Sequence, residues 1–282
     1  MLVHLNGQLV PHELATVSVF DRGFLFGDGL YEGIRAFGGK VRALDRHIAR
    51  LGRGLAEIKL DWDAAALSKL VPELIHANKL DDAFIYVQVT RGAPAPGRPW
   101  RSRVPEGPVT PTVFAFCTPA ARLEQCVEPA SKHAMTIEDY RWHRGHIKSI
   151  SLVSNVMAAI TAVDHHEDDA IFVRNGLVGE GTSTNVVAEV GGRLVTPSLE
   201  SISILGGVTR TLVLDGGQSI ESRPVTVAEL HAASEVMLIG TLTMVASVVR
   251  LDGRPVGEGT VGPKAKLLAA ELVRRCQEEG SR

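Results

Sequence analysis

The stretch His146–Ala159 reads HIKSISLVSNVMAA and joins a short polar segment to an apolar run. Lys148 lies in the polar part, shortly before the apolar run that begins at Leu152. A lysine beside an apolar helix is usually a surface residue, whose stem lies along the helix while its ammonium reaches water. A lysine held at the mouth of a buried element can instead attack a carbonyl group. The rest of the sequence decides between these two interpretations.

A second informative stretch, Gly179–Asn185, reads GEGTSTN and lies between two strand-like runs. Its carboxylate, Glu180, would on its own be interpreted as a solvated turn residue. Aimed into the same pocket as Lys148, this carboxylate could keep a pyridine nitrogen protonated. A lysine that forms a Schiff base and a carboxylate that keeps the ring cationic are what pyridoxal phosphate requires of a protein.

The composition is typical of a soluble globular protein. The chain has 282 residues, of which 45% are hydrophobic and 22% are charged, and its formal net charge is −2. This length fits one or two domains, and the balanced charge predicts no nucleic-acid partner. The start, MLVHLNGQLVPHE, does not resemble a signal peptide. Gly240 and Thr241 interrupt the apolar run Val236–Val249, so we expect no membrane span.

The cysteines and histidines indicate neither disulfides nor a metal site. Cys117, Cys126 and Cys276 are odd in number and lack metal-site spacing, which favours a reducing, cytoplasmic setting. His165 and His166 are followed directly by three acidic residues, a pattern that we interpret as a solvated helix end. No metal is therefore predicted.

The pattern of elements predicts an α+β fold in two domains, because strands and helices are mixed without regular βαβ alternation. In the first half it predicts a hairpin at Asn6-Gly7, strands at Leu30–Phe37, Phe84–Thr90 and Thr112–Phe116, and helices near 45–58 and 64–78. In the second half it predicts strands near 127–137 and at Val236–Ile239, hairpins at Asn175-Gly176 and Gly191-Gly192, and helices after Lys148, near Val208 and from Pro263 to about Glu278. The predicted domains are a small N-terminal domain 1–117, a linker 118–122 and a large C-terminal domain 123–282 that carries the lysine.

Six blocks of sequence resemble the class IV pyridoxal-phosphate aminotransferases and occur in that family's order. They are FGDGLYEGIRAF (Phe26–Phe37), RHIARL (Arg46–Leu51), HIKSISLVSNVMAA (His146–Ala159), EGTSTN (Glu180–Asn185), ILGGVTR (Ile204–Arg210) and GTLTMV (Gly240–Val245). Each block alone is a weak signal, but six in order are a strong one. The resemblance implies the two-domain fold type IV architecture, a pyridoxal 5'-phosphate cofactor and a homodimer.

The resemblance also implies roles for individual residues. Lys148 would be the Schiff-base lysine and proton shuttle, and Glu180 the partner of the pyridine nitrogen. The phosphate would be held by the Val208 and Thr209 amides, the Thr209 hydroxyl, Thr241 and Arg50, while Leu205 packs on the ring. Arg42, Arg46 and Arg53 are equally basic neighbours, and only the match of RHIARL to the family pattern selects Arg50.

Two positions bear on the substrate. Tyr31 stands where branched-chain aminotransferases tend to have Phe, and Val153 stands where they typically carry a tyrosine, five residues after the lysine. Both resemble the D-amino-acid aminotransferases. The Tyr31 hydroxyl could bind a substrate carboxylate, or the ring could pack in the core. Arg98, in a loop rich in Pro and Gly, could bind a carboxylate too, although Trp100 replaces the histidine of the D-enzymes' Arg-x-His pattern.

We therefore expect a transaminase that moves an amino group from a D-amino acid, an (R)-primary amine or both to a 2-keto acid such as pyruvate or 2-oxoglutarate, by a ping-pong mechanism. The segment Glu32–Phe37 looks branched-chain-like, so a branched-chain L-amino-acid aminotransferase remains the alternative. Aminodeoxychorismate lyase and an inactive cofactor-binding scaffold are more distant alternatives.

Overall fold

The computed structural model describes residues 1–279, and contacts divide them into two compact units. The first unit comprises Met1–Arg122 together with Ile147–Leu152, and the second comprises Leu123–His146 and the chain from Val153 onward. Both units mix helices with sheet. The predicted α+β class is therefore confirmed.

The first unit is built on an antiparallel sheet of six strands in the order β2-β1-β6-β5-β3-β4. Its strands are β1 (Leu2–Leu5), β2 (Gln8–Pro11), β3 (Gly29–Phe37), β4 (Lys40–Val41), β5 (Ala83–Thr90) and β6 (Thr112–Pro119), and its helices are α1 (Arg22–Phe26), α2 (Leu44–Glu57) and α3 (Leu67–Asn78). Along β5, buried Ile85 and Val87 alternate with half-buried Tyr86 and Gln88. One face of the sheet therefore packs against α2 and α3 to form the core, and the other face remains partly accessible.

The two helices of the first unit follow the apolar spacing of the sequence. Leu51 and Leu55 of α2 are buried in the same core cluster as Leu70 and Leu74 of α3, as expected for side chains three to four residues apart on one helical face. The second predicted helix, 64–78, begins as a short 3-10 turn before α3. Burying these faces anchors the helices to the sheet.

The second unit contains a sheet of nine strands, six of which close into a ring in the order β10-β13-β14-β7-β8-β9 before returning to β10. Its strands are β7 (Ala130–Glu138), β8 (Asp169–Arg174), β9 (Leu177–Gly181), β10 (Asn185–Val190), β11 (Arg193–Pro197), β12 (Ile220–Arg223), β13 (Glu235–Gly240), β14 (Met244–Leu251) and β15 (Arg254–Pro255). Its helices are α4 (Val153–Asp164), α5 (Val208–Leu214), α6 (Val227–His231) and α7 (Pro263–Glu279). Small and branched apolar side chains, among them Ala134, Val178 and Leu238, form a core cluster of this unit.

The predicted hairpin between β8 and β9 is confirmed. Arg174 pairs with Leu177, so Asn175 and Gly176 form a two-residue turn with φ values of 53° and 76°. Two positive φ angles favour Asn-Gly at this kind of turn, because glycine has no Cβ to clash. The turn sets the register of β9, the strand that carries Glu180.

The lysine segment is where the observed units differ most from the predicted domains 1–117 and 123–282. Contacts assign Ile147–Leu152 to the first unit, because its backbone bonds to β3. The strand β6 also extends to Pro119, so the predicted linker 118–122 begins inside the sheet. The domain boundaries themselves stay a prediction.

Within residues 1–279, no helix is both long enough and apolar enough to cross a bilayer. The same residues contain no group of three or more His, Cys, Asp or Glu side chains placed to hold a metal ion.

Candidate active site

Lys148 is fixed through its backbone to the start of β3. The Tyr31 amide donates to the Lys148 carbonyl oxygen at 3.1 Å, and the Ile150 amide donates to the Gly29 carbonyl oxygen at 3.1 Å. Ile147, immediately before the lysine, is buried in the core of the first unit. Hydrogen bonds on one side and apolar burial on the other therefore set where the lysine side chain begins.

The Lys148 ammonium lies over an aromatic ring. Its Nζ is 4.0 Å from the centroid of Tyr31, and Tyr31 stacks on Tyr86 with centroids 5.5 Å apart. The lysine is half-buried, and cation–π attraction favours this placement. The structure thus brings together Lys148 and Tyr31, two of the residues of the first unit for which the sequence predicts contact with the reacting substrate.

Tyr86 is a member of this cluster that the sequence did not single out. Burial, and to a lesser extent the nearby Tyr31, raises the pKa of Tyr86 to about 12. Its hydroxyl therefore stays protonated and donates to Gln88 Oε1 at 2.8 Å. The alternation of apolar and polar residues along β5 could have indicated this position. Tyr86 and Gln88 occupy the less buried face of β5, next to Tyr31 on β3.

Arg50 is held in a fixed orientation by a buried carboxylate. Its Nε donates to Glu32 Oε1 at 2.8 Å and its Nη2 to Glu32 Oε2 at 2.6 Å, while His47 Nδ1 lies 2.7 Å from the same Oε2. Burial alone would raise the pKa of Glu32, but the Arg50 charge and the hydrogen bonds from Arg50 and His47 lower it to about 2. This bidentate pair with Glu32 fixes the orientation of the Arg50 guanidinium, which could also bind a phosphate.

The sequence contains the signal for this pair. Glu32 stands on β3 between Leu30 and Ile34, on the face that is otherwise apolar. A charge at such a position requires a partner.

Glu180 is buried, with 6% of its surface exposed, so it is not a solvated turn residue. Its Oε1 accepts from Arg141 Nη1 at 2.8 Å, and its Oε2 accepts from the Leu205 amide at 2.9 Å. The Leu205 carbonyl oxygen in turn accepts from Asn185 Nδ2 at 2.9 Å. The structure therefore joins Glu180 and Leu205, which the sequence predicted to contact the ring nitrogen and the ring face.

Two of the predicted phosphate residues, Val208 and Thr209, directly follow a glycine turn and open α5. The amides of Val208 and Thr209 lie in the first turn of this helix, where no helical carbonyl accepts from them. A Cβ on Gly207 would lie 2.1 Å from Asn185 Oδ1, so only glycine lets the turn approach Asn185. Backbone amides beside a threonine hydroxyl are the donors that a phosphate dianion needs. This donor set fits the phosphate of pyridoxal phosphate.

Thr241 is half-buried and follows β13, the strand on which α5 packs. Just before it, a Cβ on Gly240 would lie 3.3 Å from the methyl group of Thr184. Among the described residues, the buried Thr184 hydroxyl has no hydrogen-bond partner. Sequence reasoning assigned no separate role to Thr184, although it belongs to the EGTSTN block. An unpaired buried hydroxyl supports a polar ligand at this side of the second unit.

Arg98 lies exposed in the loop between β5 and β6. Farther along this loop, Trp100 stacks on Phe20 with centroids 4.4 Å apart, and the buried Arg22 donates to the Ser102 carbonyl oxygen at 2.6 Å. The predicted irregular loop is confirmed. It is nevertheless tied at Trp100 and Ser102, so Arg98 stands on a loop with fixed anchor points.

The first unit also contains a cavity of about 420 Å³. The residues that line it are Val17, Ser18, Val19, Asp21, Gly23, Phe24, Gln88, Thr90, Thr112, Phe114 and Ile150. Gln88 faces Tyr31 across the strand pair. The cavity is therefore adjacent to the Tyr31 cluster, although no predicted site residue lines it.

Known proteins resemble this chain over most of its length. Residues 29–251 match the family model for amino-transferase class IV. The D-alanine aminotransferase of Bacillus licheniformis is 38% identical over 278 residues, which cover 96% of each chain. The D-alanine aminotransferase of Staphylococcus haemolyticus is 36% identical over 272 residues and 94% of each chain.

Solved structures agree as well. The branched-chain aminotransferase from Thermoproteus uzoniensis with norvaline has a TM-score of 0.86 and 29% identity, over 99% of this chain and 95% of the other. The fold IV-transaminase from Curtobacterium pusillum has a TM-score of 0.81 and 26% identity, over 96% of this chain and 92% of the other. The predicted family is therefore confirmed: this chain belongs to the class IV aminotransferases, which are enzymes that use pyridoxal phosphate.

Proposed function

We propose that this enzyme moves the amino group of a D-amino acid, D-alanine above all, to a 2-keto acid such as pyruvate or 2-oxoglutarate. The observation that carries the proposal is the 38% identity to a D-alanine aminotransferase over 96% of both chains. Solved structures named branched-chain aminotransferases are similar in fold, but their identity is lower, at 29% for the Thermoproteus uzoniensis enzyme. Tyr31 and Val153 also favour the D-amino-acid interpretation.

We assign each proposed cofactor contact to residues of the sites described above. Arg50, Val208, Thr209 and Thr241 would hold the phosphate, Leu205 the ring face and Glu180 the ring nitrogen, while Lys148 would hold the aldehyde carbon. When bound, pyridoxal phosphate supplies an electrophilic aldehyde and a ring that accepts electrons from the substrate Cα.

The protein's own groups then orient the substrate and move a proton. Lys148 Nζ would carry the proton between the substrate Cα and the carbon that becomes the aldehyde, and its anchored backbone limits where that nitrogen can reach. Tyr31, which the ammonium already contacts at 4.0 Å, would bind the substrate carboxylate through its hydroxyl. Arg98 would supply a second, more mobile contact for the same carboxylate.

A half-reaction panel tests the proposed substrate class. In holoenzyme mixed with D-alanine, the cofactor should be converted to its amine form at least about 100-fold faster than in holoenzyme mixed with L-alanine or L-leucine. We expect this difference because only one enantiomer of the substrate presents its Cα hydrogen to Lys148. The conversion is followed by the change in visible absorption, with (R)- and (S)-1-phenylethylamine as carboxylate-free comparisons. A strict preference for L-leucine, L-isoleucine or L-valine would establish the branched-chain alternative instead.

We also propose that the active enzyme is a homodimer and that α4 lies at the interface. Val156, Met157, Ile160 and Val163 are exposed by 53 to 68%, and their spacing places them along one face of the helix. The opposite face of α4 is buried against the sheet through Ala158 and Ala162. An apolar stripe of this kind on a helix that is already packed favours protein–protein contact.

Replacing Ile160 with aspartate should weaken the dimer by about tenfold or more, because the new charge would have to be desolvated at an apolar interface. Light scattering over a concentration series measures the shift from dimer to monomer. The matched control is Leu267→Asp, since Leu267 is also an exposed apolar residue on a helix of the second unit, 42% accessible. Equal masses for the Ile160→Asp variant and the parent at all concentrations would rule out α4 as the interface.

The proposed partners are thus an amino donor, a keto-acid acceptor and a second copy of the chain. The cysteine pattern supports a cytoplasmic location, and the net charge of −2 supports the absence of a nucleic-acid partner.

A further inference from the structure

Arg141 lies between two carboxylates in the second unit. Its Nη1 donates to Glu180 Oε1 at 2.8 Å, while its Nε and Nη2 donate to Asp139 Oδ1 and Oδ2 at 2.9 and 3.1 Å. The guanidinium carbon is 3.9 Å from the centroid of Phe172. Only 10% of the Arg141 side chain is exposed. Hydrogen bonds and ring stacking together hold the guanidinium in one plane.

Asp139 is the anchor of this arrangement. Its side chain has no exposed surface, and its Oδ2 also lies 3.1 Å from Arg174 Nη2. Arg174 further donates to the Arg141 carbonyl oxygen at 2.7 Å. Two carboxylates and two guanidinium groups therefore neutralise one another, which makes their shared burial tolerable.

The Arg141 charge persists in this setting. Burial alone would lower the pKa of Arg141, but the hydrogen bonds to Asp139 and the charge of Glu180 raise it above its ordinary value. A permanent cation at 2.8 Å from Glu180 Oε1 favours the carboxylate over the carboxylic acid.

Glu180 is also fixed in direction. Arg141 binds one carboxylate oxygen and the Leu205 amide binds the other, so the plane of the carboxylate is set by two donors. The charge and orientation of Glu180 are thus imposed by its neighbours.

We propose that Arg141 is a positioning residue that keeps Glu180 ionised and aimed at the ring nitrogen of pyridoxal phosphate, with Asp139 orienting Arg141 in turn. The proposal rests on the proposed role of Glu180. Because Arg141 makes Glu180 the weaker base, a proton between Glu180 and the ring nitrogen resides on the nitrogen. That location is what makes the ring an effective electron acceptor.

The chain offers a matched control for Arg141. Arg174 binds the same carboxylate of Asp139 and is equally buried, with 10% of its side chain exposed. It donates to the Arg141 carbonyl oxygen rather than to Glu180. A substitution at Arg174 therefore disturbs the same charge cluster without touching Glu180 directly.

The experiment measures the ring nitrogen itself. Parent, Glu180→Gln, Arg141→Gln, Arg141→Met, Arg141→Lys and Arg174→Gln proteins are loaded with pyridoxal phosphate labelled with ¹⁵N in the ring, and the nitrogen chemical shift is recorded. We expect Arg141→Gln to move the chemical shift toward that of neutral pyridine. Arg141→Lys should retain much of the parent value, because lysine keeps the positive charge although it lacks the planar set of N–H donors of the guanidinium. Arg174→Gln should keep the parent value.

A second measurement follows cofactor binding without turnover. Arg141→Gln should weaken binding of pyridoxal phosphate by about tenfold and leave binding of its 1-deaza analogue, which has carbon in place of the ring nitrogen, nearly unchanged. In a Glu180→Gln background, Arg141→Gln should cause little further change.

The outcomes separate this inference from the proposed function. If Glu180→Gln shifts the ¹⁵N signal but Arg141→Gln does not, the role of Arg141 is wrong while that of Glu180 stands. If Arg174→Gln shifts the signal as far as Arg141→Gln does, the effect belongs to the whole charge cluster and the inference fails. If Glu180→Gln itself leaves the signal unchanged, both fail. Arg141→Met, which also removes the charge, keeps the test decisive should Arg141→Gln not fold.

Discussion

Replacing Lys148 with alanine should abolish the covalent link to pyridoxal phosphate and lower turnover by about 1000-fold or more, a barrier increase of about 4 kcal/mol. The lysine is proposed to hold the cofactor and to carry the substrate's Cα proton, and no other described lysine has its backbone bonded to Tyr31 as Lys148 does. The cofactor should still bind, because the proposed phosphate and ring contacts involve other residues. Loss of catalysis with retention of cofactor is the expected signature.

Two measurements check this expectation. Borohydride reduction of the parent holoenzyme, followed by peptide mapping, should place the label on the peptide that contains Lys148, and the alanine variant should release all of its cofactor on denaturation. Lys132→Ala is a suitable control, since Lys132 is also half-buried. A label on any other lysine would refute the assignment.

Replacing Glu180 with glutamine should slow removal of the substrate's Cα proton by about 100-fold, or about 3 kcal/mol in the barrier. Glutamine keeps nearly the same shape, but its single amide oxygen can accept from only one of the two donors, Arg141 or the Leu205 amide. It cannot carry the negative charge that we propose keeps the ring nitrogen protonated. We therefore expect the variant to fold while the electron-accepting step becomes slow.

Exchange of the D-alanine Cα hydrogen with deuterated water measures this step directly. Glu235→Gln is the matched control, because Glu235 is 6% exposed, as Glu180 is. Its carboxylate accepts from the amides of Lys264 and Ala265 at the start of α7, at 2.8 and 2.9 Å. The control variant should lose stability but keep the exchange rate. Parent-like exchange in Glu180→Gln would show that the carboxylate charge is not needed.

The regular elements of the fold were largely predictable. The helix predicted near 45–58 is observed as Leu44–Glu57, and the helix predicted from Pro263 to about Glu278 extends to Glu279. Apolar residues three to four positions apart specify which face of a helix is buried. Asn175-Gly176 likewise specified a two-residue turn, because both residues tolerate positive φ. Local spacing and turn chemistry were sufficient for these features.

The pairing of distant strands was not predictable in the same way. Nothing in the local pattern of β7 and β14 shows that Ala130 pairs with Ala246 within the ring of six strands. Nor did the linear order show that the lysine segment, about a hundred residues after β3, bonds to that strand. Such contacts depend on the joint packing of many elements, which no local pattern encodes.

The sequence by itself determined the family and named Lys148 and Glu180, because each lies in a block whose residue types the cofactor's chemistry demands. Only the tertiary structure showed what surrounds them. It placed the Lys148 ammonium over Tyr31, paired Arg50 with buried Glu32, and set Arg141 between Asp139 and Glu180. These charges were visible in the sequence, but their partners were not. A buried charge is stable only beside an opposite charge or hydrogen-bond donors that folding brings to it, often from distant parts of the chain.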